Sequence, residues 1–501
     1  MKKFLIPVLL TVTISASAQK QSVDYATKYA QSITAPALKE KLTVIAGPGM
    51  EGRETASPGQ RKAAAYIENH FSKIGLQPGT SAGYQMQYPI YQDTLIEAII
   101  KVGGKSRKID SSFFVNFATA NNGTYDIKEI AYAGYGIVDS SRNDYKEVDV
   151  KDKWVLILEG TPADATITDR RSPYSVAAKA EQARKLGAKG VFVMTADFPR
   201  RMQSETKGRM YLKKPTVTAQ PVITVSSDLA HELLGMNPNQ LLQSIKNIPV
   251  GDYPVSAQFI MNKRTMLLQS SNVIGVLPGT DKKDEYVMVT GHYDHLGTRG
   301  SEIFFGADDD GSGTTGVLQL AEAFAKAKNE GHGPRRTMVF MTVSGEEKGL
   351  LGSEFYGDHP VFPLDKTSVD LNIDMIGRID PEFKGDSTNY VYIIGDDKLS
   401  TDLQPITDSV NKKYVNMNLD RRFSANDPNR FYYRSDHYNF AKNGVPVIFY
   451  FNGTHRDYHR SSDTVDKINF DLMTKRVKLV YYTAWEMANR NQMMKRDIPL
   501  K

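Results

Sequence analysis

Apolar residues Ala63, Ile67, Phe71 and Ile74 recur at helical spacing behind Ser57-Pro58, and Gly75 closes the run, which predicts an amphipathic helix. From about residue 94 the texture changes to short apolar runs between turns. Strands are predicted near 129–135, 153–158, 190–194 and 221–225, and a helix over 175–186 ending at Gly187. From about 262 strand, loop and helix alternate. Strands are expected over 285–290, 337–343, 369–373 and 446–451. A helix over about 312–327 groups Val317, Leu320, Ala321 and Phe324 on one face, and an amphipathic helix over 470–489 follows. This succession predicts an α/β fold: a mixed, mostly parallel sheet flanked by helices, with a smaller β-rich α/β domain inserted. The expected division is 19–93 with 262–501 for the larger domain and 94–261 for the insertion.

The chain has 501 residues, 40% apolar and 24% charged, ordinary values for a folded protein with room for two large domains. Its start, with Lys2-Lys3, an apolar run from Phe4 to Ile14 and Ala16-Ser17-Ala18, reads as a secretory signal over residues 1–18. That run falls well short of the roughly twenty residues that span a bilayer, so export without a stable membrane anchor is expected, to the periplasm or the medium. The net charge of +6 (63 − 57) drops to +4 without Lys2 and Lys3, too little and too scattered for nucleic-acid binding. The sequence has no cysteine, which excludes disulfides, thiolate catalysis and thiolate-held zinc. Any metal must be held by His, Asp and Glu.

Seven of the nine histidines lie beyond residue 290. His292 and Asp294 follow the strand predicted to end at 290. Asp308, Asp309 and Asp310 precede the 312–327 helix. Glu346 and Glu347 follow the strand ending at 343, Asp374 the one ending at 373, and Tyr458 and His459 the one ending near 451. In open α/β sheets ligands bind outside the carboxyl ends of the strands, so five stretches would deliver polar groups to one edge. Taken singly, the aspartates at 308–310 could cap a helix and Glu346-Glu347 could be a solvated pair. Asp374 is different, because a carboxylate in the apolar run 371–376 is costly unless it is paired or metal-bound. Gathered carboxylates repel, and cations relieve the repulsion. Two imidazoles with at least three carboxylates and no thiolate suit zinc. They exceed what one tetrahedral ion needs, so a pair of metals sharing a bridging carboxylate fits, with one carboxylate left as general base.

These residues resemble the co-catalytic two-zinc aminopeptidase family of bacteria, relatives of glutamate carboxypeptidase and the transferrin receptor. The resemblance rests on Gly291-His292-Tyr293-Asp294, Gly306-Ala-Asp-Asp309-Asp-Gly-Ser-Gly313, Ser344-Gly-Glu346-Glu347-Lys-Gly-Leu-Leu-Gly-Ser353, Asn372-Ile-Asp374-Met-Ile-Gly377, and Tyr458-His459 followed by Ser462-Asp463-Thr464. Residues 38–79, with Gly52-Arg53-Glu54, are similar to the family's opening, and 94–261 resembles the protease-associated domain that many members insert. The resemblance implies two zinc ions: His292 and Asp374 as terminal ligands of one, Glu347 and His459 of the other, with Asp309 bridging. It further implies that Asp294 orients His292, Glu346 is the general base and Tyr458 donates to the oxyanion. Asp308 stands where many relatives have Asn and is the less favoured bridge.

Among rival readings, His231-Glu232 is followed by Leu-Leu-Gly, so the thermolysin pattern is absent. Gly79-Thr-Ser81-Ala-Gly83 matches a nucleophile elbow, but follows a helix and precedes an extended stretch, the wrong context. A metal-free binding protein of the same fold is disfavoured because every ligand type is present. About forty residues follow His459, too few for the helical dimerisation domain of glutamate carboxypeptidases. The expected activity is therefore removal of N-terminal residues from peptides with a free N-terminus, with a dipeptidase or N-acyl amino-acid hydrolase as the alternative.

Overall fold

The computed structural model describes residues 23–116, 120–140, 142–162, 174–199, 206–213, 220–236, 247–424 and 427–500; the segment 1–18, expected from the sequence to be a secretory signal, lies outside them. The chain divides into two compact units. One comprises the described residues up to 86 together with 272–343 and 356–500; the other comprises 87–271 with 344–355.

The main sheet of the first unit runs through seven strands, with the short strand Gln77–Pro78 pairing beside the first of them: β1 (Gly251–Leu277, of which 272–277 belong here), β2 (Lys282–His292), β3 (Arg336–Val343), β4 (Thr367–Ile373), β5 (Tyr390–Ile394), β6 (Asn418–Asp420) and β7 (Val447–Phe451). Their order across the sheet is β6-β5-β7-β4-β2-β3-β1. The pairs β2·β3, β2·β4, β4·β7 and β5·β6 are parallel, whereas β1·β3 and β5·β7 are antiparallel, giving the mixed, mostly parallel sheet the sequence predicts.

Strands β3, β4, β5 and β7 are buried along their whole length; the apolar runs of β3, β5 and β7 are continuous, whereas on β4 Ser368, Asp370 and Asn372 alternate with Val369, Leu371 and Ile373. The period-2 geometry sends alternate residues to opposite faces. Val287, Val289, Met338 and Phe340 join one apolar layer with helices α1 (Pro58–Lys73), α2 (Gly313–Asn329) and α3 (Phe470–Asn489), while Met288, Val339 and Met341 join the other with Tyr356 and Phe440. Ser57 caps α1 by accepting from the Gln60 amide at 3.2 Å, and Asn469 caps α3 through the Leu472 amide at 3.1 Å.

Asp370 is a buried carboxylate inside this sheet. It lies on β4 opposite Met288 of β2, fully buried, with Oδ1 accepting from Thr290 Oγ1 at 2.8 Å and Oδ2 without a hydrogen bond. Burial, with a smaller contribution from the charge of Asp436, pushes its carboxyl up to about 8 against the Thr290 hydrogen bond. Between about pH 4 and pH 8 the folded protein therefore holds a proton that the unfolded chain releases, and stability falls as pH rises through that window. Asp370→Asn keeps the Thr290 acceptor and removes the titration. At about 1.4 kcal/mol per pKa unit the ceiling is about 6 kcal/mol, and we expect a gain on the order of a few kcal/mol at pH 8 with little change at pH 4, read from urea midpoints. Equal effects at both pH values would contradict this account.

The second unit has its own sheet. Strands Gly123–Tyr132, Trp154–Leu158, Gly190–Thr195 and Val222–Ser226 run parallel in that order, Phe113–Val115 closes one edge antiparallel, and residues 251–261 of β1 pair antiparallel with Gly123–Tyr132. Trp154 stacks on Phe192 at 4.8 Å in its core.

Candidate metal centre

Strands β2, β4 and β7 point the same way, so the residues after them emerge at one edge of the first unit's sheet. His292 is the last residue of β2, Asp374 follows β4 directly, and a loop with no helix or strand carries residues 452–464 beyond β7. Asp308, Asp309 and Asp310 lie in the turn Ala307–Ser312 that leads into α2.

This turn needs glycine at both ends. Gly306 has φ +53°, a left-handed conformation, and a Cβ there would collide with the His295 ring; a Cβ at Gly313 would collide with the Asp310 carboxylate and the Ile373 carbonyl. Arg53, fully buried, fastens the turn to β2 by donating to the carbonyls of Tyr293 (2.7 Å), Phe305 (2.5 Å) and Gly306 (2.8 Å).

Asp309 stands between the histidines. Its Oδ1 is 3.3 Å from His292 Nε2 and its Oδ2 is 3.1 Å from His459 Nε2, with His295 Nδ1 at 3.9 Å from Oδ2. Asp374 Oδ1 lies 3.6 Å from His292 Nε2. Asp308 is occupied otherwise: Oδ1 accepts from Ser312 Oγ (3.0 Å) and the Gly377 amide (2.6 Å), and Oδ2 faces His455 Nε2 at 3.1 Å. Asp294 meets His292 chiefly through its backbone. Its carbonyl accepts from Nδ1 at 3.1 Å, so that Nε2, which faces Asp309 and Asp374, is the ring atom available to a metal, while its carboxylate Oδ1 is 3.7 Å from the ring and Oδ2 accepts from Thr55 at 2.6 Å.

Glu346 and Glu347 lie in the short turn Glu346–Lys348 just past β3. Two groups of side chains each offer ligand atoms within 4.8 Å of one another: His292, Glu346 and Asp374, and His295, Asp309 and Glu347. His295, next to Asp294 in the sequence, is not among the ligands expected from the motifs; its adjacency to the His292-Tyr-Asp294 triplet was the available signal. Tyr458 stacks on His459 at 3.9 Å, and its hydroxyl accepts from Arg434 Nη2 at 3.4 Å. Ser81 sits in a tight turn closed by Thr80 and Gly83 after a two-residue strand, not in a strand-to-helix elbow.

The electrostatics favour cations. Asp294, Asp308, Asp309, Asp310, Asp374 and Asp463 are all buried around one centre, and Asp310 Oδ2 makes no hydrogen bond. For Asp309 burial opposes ionisation, but hydrogen bonding to His292 and His459 outweighs it and holds the carboxyl well below its ordinary range. Burial, aided by the charge of Asp374, pushes Asp310 well above it. The two adjoining groups are two metal positions, and their imidazole and carboxylate donors, with no thiolate, suit zinc.

Residues 272–484, which contain every ligand candidate, match Peptidase family M28. In sequence the chain is 26% identical over 237 residues to a "Probable zinc metalloprotease" of Pyrenophora teres f. teres, covering 44% of this chain and 49% of that protein. It is 25% identical over 296 residues to "Leucine aminopeptidase 1" of Sclerotinia sclerotiorum, covering 57% and 73%. The chain thus spans about half the length of the first relative. In structure it is similar to an aminopeptidase from Aneurinibacillus sp. strain AM-1, with TM-score 0.56, 19% identity, and 95% and 98% of the two chains covered. It is similar also to a zinc aminopeptidase from Bacillus subtilis, with TM-score 0.52, 18% identity, and 93% and 98% covered. These likenesses establish the fold.

Proposed function

We propose that the protein is an exported zinc-dependent exopeptidase that removes N-terminal residues from peptides. The observation that carries this reading is the placement of Asp309, whose two carboxylate oxygens face imidazoles from different elements, His292 at the end of β2 and His459 in the loop beyond β7, as a bridging ligand must. The names of the relatives, aminopeptidases and a zinc metalloprotease, support it. His292 and Asp374 would hold one metal and Glu347 and His459 the other, with His295 close enough to Asp309 to assist. The stretch 94–261, read as a protease-associated insertion, supplies none of these ligands.

Two zinc ions, when bound, polarise the scissile carbonyl and acidify the attacking water. Glu346 takes a proton from that water on a carboxylate oxygen and delivers it to the leaving amine as the C–N bond breaks. Tyr458 donates its hydroxyl hydrogen to the carbonyl oxygen as that oxygen gains charge. The backbone carbonyl of Asp294 keeps His292 in the tautomer that leaves Nε2 free to coordinate.

The charges of Glu346 and Asp374 favour a free α-ammonium beside the scissile bond. A desolvated charged contact is worth on the order of 2–5 kcal/mol, so N-acetylated peptides should be cleaved at least roughly thirtyfold more slowly than their free forms. Paired assays of both forms of one peptide test this. Equal rates, or preference for the acetylated form, would replace the aminopeptidase reading with an N-acyl amino-acid hydrolase on the same centre.

A further inference from the structure

The loop that carries His459 has no regular secondary structure to fix it, and His459 itself has φ +57°, a backbone conformation that a non-glycine residue keeps only when its surroundings impose it. Its side chain is 40% exposed, in contrast to the 1% of His292 at the end of a strand. Something other than strand geometry must hold this imidazole at 3.1 Å from Asp309.

Arg378 is placed to do so. It lies four residues beyond Asp374, and its backbone is anchored at both ends: the amide donates to Asn452 Oδ1 at 2.6 Å, and the carbonyl accepts from Arg476 at 2.7 Å. From this fixed root its guanidinium, with the side chain only 13% exposed, reaches two carboxylates of the His459 loop. Nη2 donates to Asp457 Oδ2 at 2.8 Å, and Nη1 lies 3.6 Å from Asp463 Oδ1. Asp457 is two residues before His459. The other oxygen of Asp463 accepts the backbone amides of Asp308 at 2.9 Å and Asp309 at 3.2 Å. One planar cation thus ties the segment after Asp374 to the loop of His459, and through Asp463 to the turn of Asp309. Lys467 and Ser462 also bind Asp457, but only at Oδ1 and only from the later part of the same chain stretch. They brace the loop internally without fixing it to the Asp374 segment.

We propose that Arg378 is a positioning residue for the second metal position, setting the loop of His459 in register with Asp309 and Asp374. The proposal rests on the two-zinc reading above. It makes Arg378 matter to one metal and not to the other, because His292, at the end of β2, is fixed without it.

The test is zinc titration of the whole protein against a chromophoric chelator, with cobalt(II) absorption spectra as a second readout and circular dichroism to verify folding. Wild type should bind two equivalents. Arg378→Ala should bind one equivalent as wild type does and the other about 10–100-fold more weakly, the usual effect of losing an outer partner of a metal site. Excess zinc should restore most of kcat, and the cobalt spectrum should lose the contribution of one ion. Arg378→Lys, which keeps the charge but cannot span both carboxylates, should fall between. Should Arg378→Ala fail to fold, Asp457→Asn carries the same expectation for the same zinc equivalent. Folded variants that hold both ions at wild-type affinity, or weaken both alike, would overturn the proposal while leaving the two-zinc reading intact. A wild-type protein that binds no zinc would overturn both.

Discussion

Glu346→Gln should retain two equivalents of zinc and lower kcat by about 10²–10⁴-fold, the range spanned by general acid–base catalysis, with KM little changed. The amide occupies the same space but cannot take a proton from water at neutral pH. The measurement matters because a ligand atom of Glu346 lies within 4.8 Å of those of His292 and Asp374, close enough for Glu346 to coordinate instead. Metal analysis separates the roles. Loss of one zinc from the folded variant would make Glu346 a ligand, and near-normal turnover with both zincs would remove it from the reaction. Glu347→Ala, its neighbour, should by contrast lose one equivalent.

The largest effect on metal binding is expected for Asp309→Asn. A carboxylate offers one anionic oxygen to each position, whereas an amide offers one neutral oxygen and turns an NH2 group, which cannot coordinate, toward the other. Zinc affinity should fall by more than the about 10–100-fold that outer partners contribute, at one position or both, with activity lost in proportion. The backbone amide of Asp309 still donates to Asp463, so the turn itself should persist. Asp308→Asn is the control. Both Asp308 oxygens already serve Ser312, Gly377 and His455, so that variant should keep two zincs. The reverse pattern, with Asp308→Asn stripping the metals and Asp309→Asn sparing them, would move the bridge by one residue.

Much of this centre was legible because its residues sit at positions with a local signature. The strand Val447–Phe451 follows from its short continuous apolar run and the helix Phe470–Asn489 from apolar periodicity. The placing of carboxylates and histidines after such strands follows from the rule that parallel strands present their carboxyl ends together. What was not legible depended on partners distant in sequence. The strand Tyr390–Ile394 and the helix Leu403–Tyr414 were not anticipated; the first is bound to Phe449–Phe451 across more than fifty residues, and the second packs behind α3. The β1 strand, unbroken from Gly251 to Leu277, was likewise not anticipated, since no strand was expected between 225 and 285; it pairs with Gly123–Tyr132 over 251–261 and with β3 over 273–277.

The sequence by itself determined the class of chemistry, because residue type limits it: without cysteine, any metal must fall to His, Asp and Glu, and those residues cluster after predicted strands. The tertiary structure alone decided what each group faces. Asp308 and Asp309 are adjacent and chemically identical, yet one is consumed by hydrogen bonds from Ser312 and Gly377 while the other faces two imidazoles. It is also the structure that brings His295 toward Asp309, and that sets Asp294 against His292 by its carbonyl more closely than by its carboxylate. The physical reason is that a side chain's role is fixed by which donors, acceptors and charges lie within about 3–4 Å of it, and in this centre those neighbours come from segments up to hundreds of residues apart.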